Sequence, residues 1–152
     1  MKIVSLTMVN NESDIIESFV RYNYNFLDRM IIVDNGCTDS TISILNRLIS
    51  EGYEITVYDE SLKDYDQFRI DNHYIYKIAN ESNPDIIIPL DADEFIVADG
   101  DPRTALENLS LDRIYYINWQ WYVMTQEDDQ AELFVPGRMQ YCLSRTPWNY
   151  AD

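Results

Sequence analysis

Short apolar runs alternate with stretches of helical spacing from Ile3 to Leu90, and this rhythm constrains the fold more than any other feature of the chain. Ile3 to Val9 is apolar apart from Ser5 and Thr7 and reads as a strand. Met30-Ile31-Ile32-Val33 reads as a second strand and Glu54 to Tyr58 as a third. Ile86-Ile87-Ile88-Pro89-Leu90 reads as a fourth and is the most apolar. Helices are predicted between them. The first starts near Asn10 to Asp14, with Asn10 or Asn11 as its cap and Ile15, Ile16, Phe19 and Val20 at helical spacing. The second covers Ser40 to Ser50, places Ile42, Leu45 and Ile49 on one face and stops at Gly52. The third covers Tyr65 to Asn80. Continuous apolar strands suit a sheet covered on both faces. Alternation with helices predicts an open α/β fold with a mostly parallel, twisted sheet and right-handed crossovers.

The rhythm changes after Phe95. Asp101 and Pro102 open a short helix as cap and first residue. Ile114 to Val123 and Leu133 to Leu143 read as strands, joined through Thr125 to Gln130. Antiparallel pairing is expected here, giving a mixed carboxyl-terminal part. At 152 residues the expectation is a single domain over 1–152.

Charge narrows the partners. The formal net charge is −16, which repels nucleic acid and anionic membrane surfaces. A nucleoside diphosphate would also be repelled, unless a divalent cation or a cluster of donors offsets the field. The 11 Lys and Arg form no basic run. Cys37 and Cys142 have no neighbouring Cys or His at ligand spacing, which fits a reduced, cytoplasmic setting. The amino-terminal apolar stretch is broken at Asn10 and is too short for a signal peptide. No run approaches the roughly 18 apolar residues of a membrane span, so no transmembrane segment is expected.

The chemistry concentrates at strand ends. Asp-x-Asp spacing alone says little, because it occurs at Asp64/Asp66, Asp91/Asp93 and Asp99/Asp101. Asp91-Ala92-Asp93 differs in following the most apolar strand directly. Ligands of open α/β sheets bind outside the carboxyl ends of strands. Two carboxylates held close there need a cation, a positive partner or a proton. Mg²⁺ and Mn²⁺ prefer oxygen ligands and commonly combine a carboxylate or two with substrate phosphates. Asp91 and Asp93 are therefore the candidate metal ligands, bridging through the metal to a diphosphate. Asp34 ends another apolar strand, with Asn35, Thr38 and Asp39 behind it. Such groups can pair with ribose hydroxyls or with a base N–H. Asn10 to Glu12 adds a third polar strand end, and the three together suit one pocket.

Met1 to Glu12, Ile31 to Thr41 and Ile86 to Phe95 together resemble the family 2 glycosyltransferases, whose catalytic domain has the GT-A fold. The first segment resembles the opening strand with its Asn-Glu. The second resembles the strand ending in an Asp-x-Gly-Ser-x-Asp-Gly-Thr turn. The third resembles the metal-binding strand end, in the subgroup reading Asp-Ala-Asp-Glu-Phe. Ile117-Asn118-Trp119 is a weaker echo. The resemblance covers roughly 1–123, with the motifs in the family's order. It implies that Asp34, Asn35 and Asp39 hold the nucleoside. Asp91 would face the ribose or the metal, and Asp93 would ligate Mn²⁺ or Mg²⁺. Asn10 and Glu12 would lie close to the base or ribose, and Arg69 would reach the diphosphate or support the pocket. Asn35 and Cys37 stand where many members have Asp and Ser.

The implied reaction is inverting transfer of a sugar from a nucleotide-sugar donor, expected to be a UDP-sugar, to an acceptor glycan or lipid-linked saccharide. Members carry a general base beyond the metal motif. Here the clustered carboxylates in that region are Glu127, Asp128 and Asp129, with Glu127 and Asp128 the candidates. The chain ends at Asp152, short of the family's usual carboxyl-terminal elements. Two alternatives come from other classes. One is a non-catalytic nucleotide-binding or interaction domain. The other is a haloacid-dehalogenase-like phosphatase, whose motif continues with Thr or Val where this chain has Glu94-Phe95. Trp119 and Trp121, two apart on an expected strand, face one side and suit either a sugar ring or a core. His73, the only histidine, is expected to be a packing or surface residue of its helix.

Overall fold

The computed structural model describes residues 1–61, 66–110 and 112–143. The chain divides into two compact units, Met1–Asn108 and Leu109–Asp152.

The first unit is built on a parallel sheet. Its elements run β1 (Ile3–Val9), α1 (Ile16–Asn23), a 3₁₀ turn (Tyr24–Phe26), β2 (Arg29–Asp34), α2 (Thr41–Ser50), β3 (Ile55–Asp59), α3 (Gln67–Ser82), β4 (Ile86–Pro89) and α4 (Pro102–Glu107). The strand order is β3-β2-β1-β4, with every pairing parallel. The chain steps outward from β1 to β2 to β3 and then returns to the other side of β1. That reversal separates the helices. Phe19 and Val20 of α1 and Leu45 and Leu48 of α2 pack with Ile3, Met30, Ile32 and Ile55. Ile70, Tyr74 and Ile78 of α3 pack with Val4, Leu6, Ile31 and Val33. Alternate residues of β2 thus enter different cores, so its apolar run is continuous rather than alternating. The expected α/β class with helices on both faces is what the chain forms.

The strands of this unit end within one residue of where the runs predict, and caps explain several helix ends. Asp66 caps α3, accepting from the Arg69 N–H at 3.0 Å. Asp101 caps α4, with Pro102 inside the first turn. Gly52, at φ +104°, turns the chain out of α2. Pro89 lies opposite Leu6 on β4, which has a single neighbour in the sheet, so its missing N–H costs no interior ladder bond.

Three expectations are corrected here. Neither Asn10 nor Asn11 caps α1. Its N-cap is Ile15, without a side-chain bond, because the Glu12 carbonyl accepts from the Ile15 and Ile16 N–H groups. In α2 the buried face is Thr41, Leu45 and Leu48, and Ile49 is exposed. α3 runs on to Ser82, where Asn83 takes the left-handed conformation at φ +43°. The expected start of that helix, Tyr65, lies outside the described residues, as does Asp64.

The second unit departs further. The expected strands over Ile114–Val123 and Leu133–Leu143 shorten to β5 (Tyr122–Val123) and β6 (Tyr141–Cys142), which pair antiparallel as expected. A single helical turn, α5 (Val135–Arg138), occupies the middle of the second stretch. Pro136 sits in the first turn of α5, where a helix tolerates it and a ladder would lose a hydrogen bond. Among the described residues no helix is long and apolar enough to cross a membrane.

Candidate functional site

The reversal between β1 and β4 makes a topological switch point, where adjacent crossovers leave to opposite faces and a crevice opens. The register deepens it. β4 leaves the sheet at Pro89, opposite Leu6, while β1 continues to Val9. A cavity of about 250 Å³ lies there. Met8, Val9 and Asn10 line it from the end of β1, Glu12 from the following turn, and Asp91, Ala92 and Asp93 from the end of β4. Gln67 closes it from α3.

The Asp91-Ala92-Asp93-Glu94-Phe95 run folds as a tight turn with alternating destinations. Ala92 is buried, while Asp91 and Asp93 are exposed to the cavity side. Glu94 turns back. Its Oε2 accepts from the Asp91 N–H at 3.0 Å, and its own N–H donates to the Asp91 carbonyl at 3.0 Å. Phe95 packs edge-on against Phe19 and Tyr22 of α1, at 6.5 and 5.4 Å between centroids. Asn23, fully buried, completes the anchor. Its amide donates to the Glu94 carbonyl at 2.9 Å and accepts from the Ile96 N–H at 3.3 Å. Two carboxylates are thus presented on a backbone fixed from behind by a buried amide and an aromatic.

The end of β2 makes a braced loop. One oxygen of Asp34 accepts from the N–H groups of Gly36 and Cys37 at 3.0 and 2.8 Å. Asn11, left-handed at φ +63°, accepts through its side-chain oxygen from Thr38 N–H (2.7 Å), Thr38 hydroxyl (3.2 Å) and Asp39 N–H (3.1 Å). Asp39 answers. One oxygen takes the Thr41 N–H and hydroxyl, and the other takes the Ser13 N–H at 3.1 Å. These bonds to Thr41 and Ser13 hold the Asp39 carboxyl far below its usual range. Asn10 donates to the Asn35 carbonyl at 2.9 Å, and the Asn35 side-chain oxygen is buried without a hydrogen-bond partner. The ends of β1 and β2 are therefore one laced unit.

The charged groups that line the cavity among the described residues are all carboxylates. Burial raises the Glu12 carboxyl, and the charges of Asp14, Asp93 and Asp39 raise it further. Burial likewise raises Glu94, against the Asp91 N–H bond, with Asp91 and Asp93 adding to the rise. Among the described residues, none that lines the cavity is Lys, Arg or His. Among the described residues no group of three or more His, Cys, Asp or Glu side chains stands ready as a metal site. Two oxygen donors in a negative field fit a hard cation that completes its shell with phosphates and water.

Of the candidate residues, the fold brings Asn10, Glu12, Asp91 and Asp93 to one cavity. Asp34, Asn35 and Asp39 stand at the adjoining strand end but do not line it. Arg69 is exposed and lies 3.8 Å from Asp66. In the second unit Asp128 is buried, accepting from the Thr125 N–H at 2.7 Å and hydroxyl at 3.3 Å. Glu127 is exposed and accepts from the Tyr141 hydroxyl. Trp119 and Trp121 do lie side by side, 6.5 Å between centroids, and both are exposed. His73 is exposed, edge-on to Tyr74. Gln67 and Asn23 were not among the expected site residues, Asn23 being read only as part of the helical spacing of α1. Gln67 directly follows the cap Asp66, which was its one signal.

The fold is similar to that of a solved protein, the mannosyltransferase PcManGT from Pyrobaculum calidifontis in complex with GDP-Man and Mn²⁺. The TM-score is 0.53 and the identity 21%, over 70% of this chain and 30% of that one. The architecture is thus an α/β, GT-A-like fold, and this chain spans less than a third of the length of that neighbour. No protein-family model matches the chain, and no curated protein matches it.

Proposed function

We propose that the chain forms the donor-binding part of a metal-dependent glycosyltransferase of family 2 type, acting on a nucleotide-sugar. The observation that carries this reading is the meeting of Asn10, Glu12, Asp91 and Asp93 at the switch point of a parallel sheet. The GT-A-like fold supports it. The neighbour's GDP-Man and Mn²⁺ support a nucleotide-sugar and a divalent ion, and place GDP-sugars beside the expected UDP-sugars as donors to test.

In this reading Asp93, with Asp91, holds Mn²⁺ or Mg²⁺. A bound ion would offset the diphosphate's charge and stabilise the departing nucleoside diphosphate. Asn10 and Glu12 face the base or ribose from β1, and Asp34 and Asn35 contact the nucleoside from β2. Asp39 serves through its brace, because both its oxygens already accept hydrogen bonds. Arg69 supports the start of α3 beside Asp66. A general base must reach the acceptor hydroxyl. Exposed Glu127 suits that role better than Asp128, whose carboxylate is turned into its own loop.

Calorimetric titration with UDP and GDP, in Mn²⁺ and in a chelator, tests the reading. Metal-dependent binding by the parent and its loss in Asp93→Ala are expected. An Asp93→Ala chain that binds as tightly as the parent overturns it.

A further inference from the structure

Asp91 is oriented from a third element. Gln67 is the first residue of α3, and its Nε2 donates to Oδ1 of Asp91 at 3.0 Å across 24 positions of sequence. The cap at Asp66 sets where the helix begins, and Ile70 and Tyr74, both buried, seat α3 on the sheet. The amide is therefore carried on a packed helix and not on a loop. It lines the same cavity as Glu12, Asp91 and Asp93.

The choice of side chain matters. Three carboxylates face this cavity without a basic residue among its described lining, and the charge of Asp91 is felt at Asp71, one turn along α3 from Gln67. A Lys or Arg in place of Gln67 would hold the same oxygen more strongly. It would also cancel the charge that a cation needs. A neutral N–H fixes the carboxylate and leaves that charge intact. Resting on the donor-site reading above, we infer that Gln67 is a positioning residue, pinning one oxygen of Asp91 from α3 so that its carboxylate, held by a neutral partner, meets a divalent cation and diphosphate preoriented. Outer partners of this kind commonly change metal affinity by about 10- to 100-fold.

The test compares the full chain with Gln67→Met and Gln67→Lys, by calorimetry with UDP and GDP in Mn²⁺ and in chelator, alongside thermal unfolding without ligand. Met keeps the length and loses the donor, so Mn²⁺-dependent binding should weaken about tenfold. Lys can still reach Asp91 but brings charge, and should weaken it at least as much. Both should unfold at the parent's midpoint. Met binding like the parent, Lys binding as tightly as the parent, or a midpoint that falls in step with affinity would each overturn the inference while the donor site stands. A parent without Mn²⁺-dependent binding overturns the donor-site reading, and this inference with it.

Discussion

Ile86–Pro89 is rich in β-branched residues and Ile114–Val123 in β-branched and aromatic ones, both strand-favouring, yet they meet different surroundings. The first forms β4 beside β1, and Ile88 is buried. In the second, Ile114 is 85% exposed, Tyr116 92% and Trp119 62%, and only Tyr122–Val123 pairs. A strand is made by what covers and pairs with it, more than by its own composition. In Met1–Asn108 each strand is flanked by a partner and roofed by helices. Among the described residues of Leu109–Asp152 two short strands pair with each other alone, an arrangement that is marginal on its own. The carboxylates of the proposed donor site stand on the first kind of scaffold, the two candidate bases on the second.

Substitutions can break or sharpen that contrast. The largest effect is expected from Phe19→Ala, which empties a fully buried ring position in the first unit, beside Phe95. It should cost about 3–5 kcal/mol in urea unfolding. Asn23→Ala should follow at about 1–3 kcal/mol, by orphaning the Glu94 carbonyl and the Ile96 N–H. Hydrogen exchange at Ile96 should quicken, and an unchanged rate would mean that Asn23 does not hold the Asp91–Phe95 turn. A smaller effect is expected from the exposed network in which Arg21 and Arg47 both reach Glu17 and Glu51. The bond from Arg47, against burial and with Arg21 added, lowers the Glu17 carboxyl. A lowered folded pKa gives stability that is present above about pH 4.3, the ordinary Glu value, and fades as pH falls through the folded value. Glu17→Gln should therefore cost at most about 1 kcal/mol at neutral pH and flatten the acid limb of stability against pH. An acid limb as steep as the parent's would refute that assignment. The smallest is Trp119→Ala, expected within about 0.5 kcal/mol because the ring is exposed. A loss near that of Phe19→Ala would erase the contrast between the two regions.

Much of the first unit could be read directly. Four apolar runs located four strands, and Asp101-Pro102 marked a helix start. Asn11 could not be read, since its cap serves a loop 27 residues away and not the helix behind it. Nor could the lengths of β5 and β6, because exposed and covered runs alike are built from strand-favouring residues.

Asp91 and Asp93 could be picked from three Asp-x-Asp pairs because a strand's apolar run and the carboxylates that end it are adjacent in sequence, and local order alone relates them. Periodicity likewise determined the α/β class, since burial on two faces leaves a continuous apolar run. What only the tertiary structure decided is which strand ends share a cavity. The return from β3 past β1 to β4 puts Asn10 and Glu12 beside Asp91 and Asp93, sets Asp34 to Asp39 one strand away, and brings Gln67 across from α3. Those neighbours are set by crossover direction and strand order, which depend on how whole helices pack and not on any residue's own preference.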